Sequence, residues 1–460
     1  MYKIKILHYE KQYLLEELIK VFLRPDQYRL LDAEEPADAD TILINEQGSQ
    51  DKNEINRQIY RALSRLTGTK PAWGILTGIR PVKLCGELFE KNGSGEEAVR
   101  VLREDYYLSG EKAALLLQLY LHQQEEAGKP PKNSAGVYIG IPFCPTRCVY
   151  CSFASNQVPD GEIARYLEAL HQEIAYTGRR MKETGMTAES VYIGGGTPTT
   201  LTAGQLDQLI ASVQKAFDLS ALREFTVEAG RPDTITAEKL QVLKGRGIDR
   251  ISINPQSMKA ETLETIGRSH SPEDIRRAFA LARSHGFDHI NCDVIAGLPG
   301  ETAADFADTL RQVMSMGPES VTVHCLAVKR ASRLVDIDRD FHYKQGERVA
   351  EMLSQGEKAL AGGGYQPYYL YRQKHMAGAF ENTGYCKKGK DCIYNIRIMD
   401  EHQSIIALGA GGISKVYYPS ENRLERVANV TNYQEYIKRI DEMLNRKEKN
   451  IFMEVKKWQS

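Results

Sequence analysis

A chain of 460 residues is too long for one small core and implies two or three domains, or one large barrel with additions. Its 60 basic and 61 acidic residues leave a formal net charge of −1, so no overall field recruits nucleic acid or an anionic membrane. The 42% hydrophobic and 26% charged content is that of an ordinary globular protein, and eight cysteines are too few for a disulfide scaffold. The N-terminus, Met1-Tyr-Lys-Ile-Lys-Ile-Leu-His8, lacks a continuous apolar core, and no stretch approaches ~18 apolar residues. The expectation is a cytoplasmic protein, not stably inserted in a membrane, whose thiols stay reduced.

Residues 1–134 read as an N-terminal α+β domain. Tyr2 to Leu7 alternates polar and apolar residues like an edge strand, and Thr41–Asn45 reads as a second strand. Tyr13–Phe22 and Glu54–Leu66 carry apolar residues at helical spacing. Trp73 to Lys83 is a loop punctuated by Gly and Pro with two cations, Arg80 and Lys83; a solvated turn and a ligand loop both fit it. Helices follow at Gly95–Asp105 and Gly110–Ala127, and Gly128 to Ala135 is a linker.

From 135 to 330 strand and helix alternate strictly. Strands are predicted at Val137–Phe143, Ser190–Gly194, Glu224–Glu228, Arg250–Asn254, His289–Ile295 and Ser320–Ala327. Helices are predicted at Ile163–Lys182, Ala203–Phe217, Ala237–Gly245, Pro272–His285 and Ala303–Met316, with Asp218, Asp233, Ser271 and Thr302 as turn or cap residues. Six β/α units imply a parallel sheet curved into an open partial barrel, since a closed eight-unit barrel needs ~250 residues. From 331 to 460 the alternation stops. A helix at Phe341–Ala361, several short strands and a closing helix at Asn432–Asn445 read as a C-terminal sheet-plus-helix cap.

The first barrel strand runs into Cys144-Pro-Thr-Arg-Cys148-Val-Tyr-Cys151. Thiolates are preferred ligands of iron–sulfur clusters, and three of them leave one iron of a four-iron cluster without a protein donor. Such an open position is where a substrate or cofactor binds. A zinc site or three unrelated buried thiols is the alternative, although zinc motifs usually present paired Cys or Cys/His ligands. In parallel β/α folds function gathers at the carboxyl ends of strands. Gly194-Gly-Gly196-Thr197-Pro198 ends the second strand, as a tight turn or as a place where backbone meets a ligand. Period-two alternation puts Ser252, Asn254 and Gln256 on one face, and Asn291, Asp293 and Ile295 on another; both sets should line the interior.

These motifs, with Tyr138 before and Tyr150 within the cysteine segment, resemble the radical S-adenosylmethionine (radical SAM) superfamily. Within it they resemble the oxygen-independent coproporphyrinogen dehydrogenase group (HemN, HemW, HemZ), and the Thr-Gly-Ile-Arg-Pro segment points to the HemZ branch. The resemblance implies an open six-unit (β/α) partial barrel. It implies a [4Fe–4S] cluster on Cys144, Cys148 and Cys151, and S-adenosylmethionine contacts at Tyr138, Tyr150, Gly195, Gly196, Thr197, Glu228, Gln256, Arg268, Asp293, Ile295 and Ala327. Arg268 suits the methionine carboxylate through its fork.

The implied activity is radical oxidative decarboxylation of coproporphyrinogen III propionates to vinyls. A flavodoxin or ferredoxin is the implied reductant, and a monomer is expected. Arg372, Lys374 and His375 are candidates for neutralising propionates; a solvated strand end fits them equally. A heme-binding or trafficking protein and a radical heme methyltransferase or ring-opening enzyme are competing readings.

This chain departs from the group in places. Gly140 replaces a histidine, Phe153 stands where the HemN branch has a fourth cysteine, and Glu381-Asn-Thr-Gly-Tyr-Cys386 replaces the H-N-x-x-Y-W motif of the heme-carrying branch. Cys386 and Cys392 flank a basic turn, as free thiols or a second metal site. Cys85, Cys292 and Cys325 read as small buried hydrophobes.

Overall fold

A computed structural model of the chain describes residues 1–32, 34–153, 155–329, 332–338, 341, 345–373 and 380–455. In the N-terminal segment β1 (Tyr2–Ile6) lies between β2 (Tyr28–Leu30) and β3 (Thr41–Ile44), parallel to both. The edge-strand reading of Tyr2 to Leu7 is thus corrected: the three-residue β2, too short to stand out by periodicity, pairs with its open side. Two helices, α1 (Glu16–Phe22) and α2 (Lys52–Thr67), cover this sheet. On α2, Ile55, Ile59 and Leu63 recur at four-residue spacing and pack with Ile4 and Ile6. Next come α3 (Pro81–Asn92), α4 (Gly95–Glu104) and α5 (Gly110–Glu126), which pack together around Leu102, Leu116 and Leu119. The loop reading missed α3, which starts at Pro81, where the ring's fixed φ and missing N–H favour a first helical position.

The parallel strands are β4 (Ser134–Ile141), β5 (Thr187–Gly195), β6 (Glu224–Glu228), β7 (Arg250–Ser252), β8 (Ile290–Ala296) and β9 (Ser320–Cys325). Between them run α6 (Asp160–Glu183), α7 (Ala203–Ala216), α8 (Ala237–Gly245), α9 (Ala260–Thr265), α10 (Pro272–Ser284) and α11 (Ala303–Ser315). Ser271 and Thr302 cap α10 and α11 through reciprocal capping boxes as expected. The caps of α7 and α8 are Thr202 and Thr236, whereas Asp218 accepts from Ser220 N in a turn and Asp233 pairs with Arg231.

After α12 (Leu334–Ile337) and α13 (Gly346–Gly362), β10 (Gln366–Arg372) and β11 (Glu381–Cys386) form an antiparallel pair, and β11 adds antiparallel to β9. Past α14 (Ile393–Asp400), β12 (Ser404–Leu408) adds parallel to β4. β13 (Ile413–Tyr418) and β14 (Arg423–Ala428) continue from it antiparallel, before α15 (Tyr433–Lys438) and α16 (Ile440–Lys447). The result is one eleven-stranded sheet in the order β10-β11-β9-β8-β7-β6-β5-β4-β12-β13-β14. The sequence implies a separate sheet-plus-helix cap over the barrel mouth for the C-terminal segment; its strands instead extend the barrel sheet at both edges, and α14 packs against the amino ends of the strands.

The same segment closes the barrel floor. On α14, Tyr394 stacks 4.5 Å from Tyr192 and 6.2 Å from Tyr138. Arg397, fully buried, donates to Glu189 at the start of β5 and to the carbonyls of Ala127 and Gly128. Cys392, just before α14, donates its thiol to Glu224 at the start of β6. With the amino ends of the strands plugged, the carboxyl ends are left open.

Candidate functional site

One cavity of about 350 Å³ is lined by Cys144, Cys148, Cys151, Tyr138, Tyr150, Gly195, Gly196, Thr197, Glu228, Gln256, Arg268, Asp293, Ile295 and Ala327. The cysteines and cofactor-contact residues anticipated from the sequence therefore line a single space.

The first strand ends at Ile141, two residues earlier than predicted, so Pro142 to Cys144 turn across the strand end. Cys144 N bonds Asn156 O and Cys151 N bonds Cys148 O, fixing a compact loop, and none of the three cysteines is in a disulfide. Cys144 Sγ lies 3.4 Å from Thr197 Oγ1. Burial pushes the Cys144 thiol up to about 11 and raises the Cys151 thiol too. A coordinated cation reverses that preference, because metals bind the thiolate.

The glycines at the end of β5 have a steric reason. A Cβ on Gly196 would sit 2.5 Å from Phe143 O and 2.9 Å from Cys144 Sγ, and Gly195 has φ +116. Only glycine lets this turn lie against the cysteine loop.

On the other wall Arg268 donates from Nη1 to Asn254 O at 2.7 Å and from Nη2 to the Tyr150 hydroxyl at 3.2 Å. Its Nε, Gln256 Oε1 and Asn254 Oδ1 are buried without hydrogen-bond partners. β7 ends at Ser252, earlier than the predicted Asn254, and beyond it Gln256, at φ +67 in the left-handed region, makes an isolated bridge to Val294 of β8. Orphaned buried polar atoms on one cavity wall suit a ligand rich in donors and acceptors. Three clustered thiols and these polar groups fit an iron–sulfur cluster with an adjoining aminoacyl nucleoside.

The acids differ. Burial pushes the Glu228 carboxyl up to about 7, despite hydrogen bonds from Tyr192 OH at 2.6 Å and Gly195 N at 3.2 Å. Burial also opposes ionisation of Asp293, but hydrogen bonding with His324 and Asn291 outweighs it and holds that carboxyl below its ordinary value. His324 Nε2 is 3.6 Å from Asp293 and its Nδ1 is 3.1 Å from Tyr371 OH. Both His324 and Tyr371 line the cavity and were missed in the sequence reading. The alternation of Ser320, Thr322 and His324 against Val321 and Val323 on β9 carries the signal for His324.

Arg372 is not a cavity residue. The same alternation on β10 sends Tyr371 inward and Arg372 outward, where it bonds Leu76 O and lies over the Trp73 ring at 4.9 Å. Its assignment to substrate is corrected accordingly; Lys374 and His375 lie outside the described residues. The Trp73–Lys83 loop is neither a solvated turn nor a cavity wall. Trp73 Nε1 donates to Glu381 at 2.7 Å, and Arg80 pairs with Glu401 at 3.0 Å. Cys85, Cys292 and Cys325 are buried as expected.

Residues 138–313 match the family model described as the radical SAM superfamily. The chain is 40% identical to the oxygen-independent coproporphyrinogen-III oxidase-like protein HemZ of Bacillus subtilis, over 87% of this chain and 81% of that protein. It is 32% identical to the heme chaperone HemW of the same organism, over 60% of this chain and 69% of HemW. The solved structure of Escherichia coli coproporphyrinogen III oxidase (HemN), a radical SAM enzyme, superposes with a TM-score of 0.55 at 22% identity, covering 73% of this chain and 74% of HemN. That likeness confirms the fold. Among the described residues no helix is long and apolar enough to cross a membrane. The chain belongs to the HemN/HemW/HemZ-like group of the radical SAM superfamily, a superfamily that uses a [4Fe–4S] cluster and S-adenosylmethionine.

Proposed function

We propose that the protein is an anaerobic oxidoreductase that decarboxylates the propionates of coproporphyrinogen III to vinyl groups, giving protoporphyrinogen IX for heme synthesis. In this reading Cys144, Cys148 and Cys151 hold the cluster, leaving one iron free of protein donors. The bound cofactors supply one electron and, by carbon–sulfur cleavage of S-adenosylmethionine, a radical that abstracts hydrogen. Arg268 binds the methionine carboxylate through its fork, and Gly195, Gly196 and Thr197 offer backbone and hydroxyl groups to the ammonium. Glu228, Gln256 and Asp293 hold ribose hydroxyls or the ammonium. Tyr138, Tyr150, Ile295 and Ala327 complete the wall, with Tyr150 bracing Arg268. Each propionate then loses a hydrogen atom, carbon dioxide and one electron, the last to an acceptor. A cytoplasmic monomer reduced by flavodoxin or ferredoxin fits this chemistry.

The observation that favours enzyme over heme carrier is the fate of Glu381. It stands where the heme-carrying branch has a histidine, and its carboxylate is engaged by Trp73 Nε1 and Lys112 Nζ, outside the cavity. A carboxylate held by two donors is a poor substitute for an iron-binding imidazole. The likeness to HemW keeps heme binding as the second reading. Anaerobic incubation of the reconstituted protein with coproporphyrinogen III, and separately with heme, tests them: vinyl products support the enzyme, and tight heme binding without product supports the carrier.

A further inference from the structure

Cys386 and Cys392, six residues apart, have different surroundings. The thiol of Cys392 is spent on Glu224. That of Cys386 faces His122 of α5 and Asp391 of the turn after β11, with one donor atom of each residue within 4.8 Å of the other two. His122 Nε2 is 2.5 Å from Asp391 Oδ1. The Asp391 side chain is 4% exposed, and apart from His122 its close side-chain neighbour is the Cys386 thiol, which burial and this carboxylate push up toward the protonated form that a bound ion would displace.

We propose that His122, Cys386 and Asp391 form a second metal site, separate from the cluster, that takes Zn²⁺ and ties the N-terminal helices to the edge of the barrel sheet. Donors around one zinc ion lie ~3–4 Å apart, given bonds of ~2.0–2.3 Å to nitrogen, oxygen and sulfur. The cluster of donors is therefore already near binding size. A mixed sulfur, nitrogen and oxygen set selects a borderline ion over calcium or magnesium, which prefer oxygen alone. One thiolate and one carboxylate also neutralise the ion's double charge, which a buried site requires. Arg250, a nearby cation, does not compete for the donors: its hydrogen bonds go to Ser320 Oγ and Lys390 O. A side cavity of about 190 Å³, bordered by Glu126, Glu224 and Asp249 as well as Arg223 and His289, reaches Asp391. Three protein donors leave a fourth position for water.

The site joins segments 264 or more residues apart in the chain, which gives it a purpose the cluster lacks. The test uses the holoenzyme with its iron cluster intact, equilibrated with buffered free Zn²⁺. Zinc K-edge X-ray absorption reads zinc without interference from iron. The expected result is stoichiometric zinc with one sulfur at ~2.3 Å and lighter neighbours at ~2.0 Å. Cys386→Ser should remove the sulfur and weaken binding at least about tenfold, and Asp391→Asn, which keeps a partner for His122, should weaken it as well. If Cys386→Ser does not fold, the Asp391→Asn protein decides. Three results would overturn the proposal: zinc below about a tenth of an equivalent in the parent, unchanged binding in the variants, or a shell of three sulfurs, which would mean that zinc had entered the cluster cysteines.

Discussion

The Tyr192 hydroxyl donates a 2.6 Å hydrogen bond to Glu228 Oε1, linking the neighbouring strands β5 and β6 at the cavity wall. The bond favours the carboxylate, yet burial wins and pushes Glu228 up to about 7. Without ligand this acid therefore changes charge near neutrality, and a ligand ammonium placed beside it would draw it toward the carboxylate.

That balance predicts a pH-dependent stability. The folded state binds the Glu228 proton more tightly than the unfolded chain, where the carboxyl has its ordinary value of 4.5. Its contribution is complete below pH 4.5, falls through the interval up to about 7, and is lost above it. At ~1.4 kcal/mol per pH unit, with water in the cavity screening part of the effect, the loss is roughly 1–3 kcal/mol. Glu228→Gln should therefore unfold at a higher temperature than the parent at pH 8 and at a similar temperature at pH 5. An equal difference at both pH values would remove the raised carboxyl as the cause.

Arg268→Lys keeps the charge and loses the fork that reaches Asn254 O and Tyr150 OH together. Calorimetry should show S-adenosylmethionine binding weakened by about 1–3 kcal/mol, with iron content unchanged. Parent-like affinity would take Arg268 out of the cofactor site.

Gly196→Ala adds a methyl group where Phe143 O and Cys144 Sγ leave no room. Overpacking of this kind costs about 1–3 kcal/mol, and the cysteine loop is the part that must move. Iron loading should fall below that of the parent while the far-ultraviolet dichroism is preserved. Full loading together with parent-like cofactor affinity would show the contact to be unimportant.

The ion pair of Arg397 and Glu189, 1% and 0% exposed, ties the barrel floor to the end of α5. Glu189→Gln removes the carboxylate hydrogen-bonded to the guanidinium and leaves only Asp400, at 3.6 Å, as its counter-charge, and should lower stability by about 2–4 kcal/mol in chemical denaturation. A loss below about 1 kcal/mol would mean that water reaches the arginine.

What the sequence showed was periodicity and strand-end chemistry. Glu224–Glu228 and Ala237–Gly245 form with the predicted bounds, and Ser252, Asn254, Gln256, Asn291 and Asp293 line the cavity as alternation requires. What stayed hidden depends on contacts distant in the chain. The central place of β1 depends on a three-residue partner, and α14 reads as part of a strand-rich region until Tyr394 is seen against Tyr192. Arg372 looked like a substrate cation because its partners, Leu76 and Trp73, lie almost 300 residues earlier. The pairing of His324 with Tyr371 likewise joins β9 and β10, which are not neighbours in the sheet because β11 lies between them.

The most direct measurement of the central claim is release of labelled carbon dioxide from coproporphyrinogen III labelled in its propionate carboxyls. The protein would be reconstituted anaerobically with iron, sulfide, reductant and S-adenosylmethionine. Decarboxylation predicts label release that requires S-adenosylmethionine and disappears in Cys144→Ala, Cys148→Ala or Cys151→Ala. Stoichiometric heme binding with no label released, by protein whose cluster is fully loaded, would contradict it.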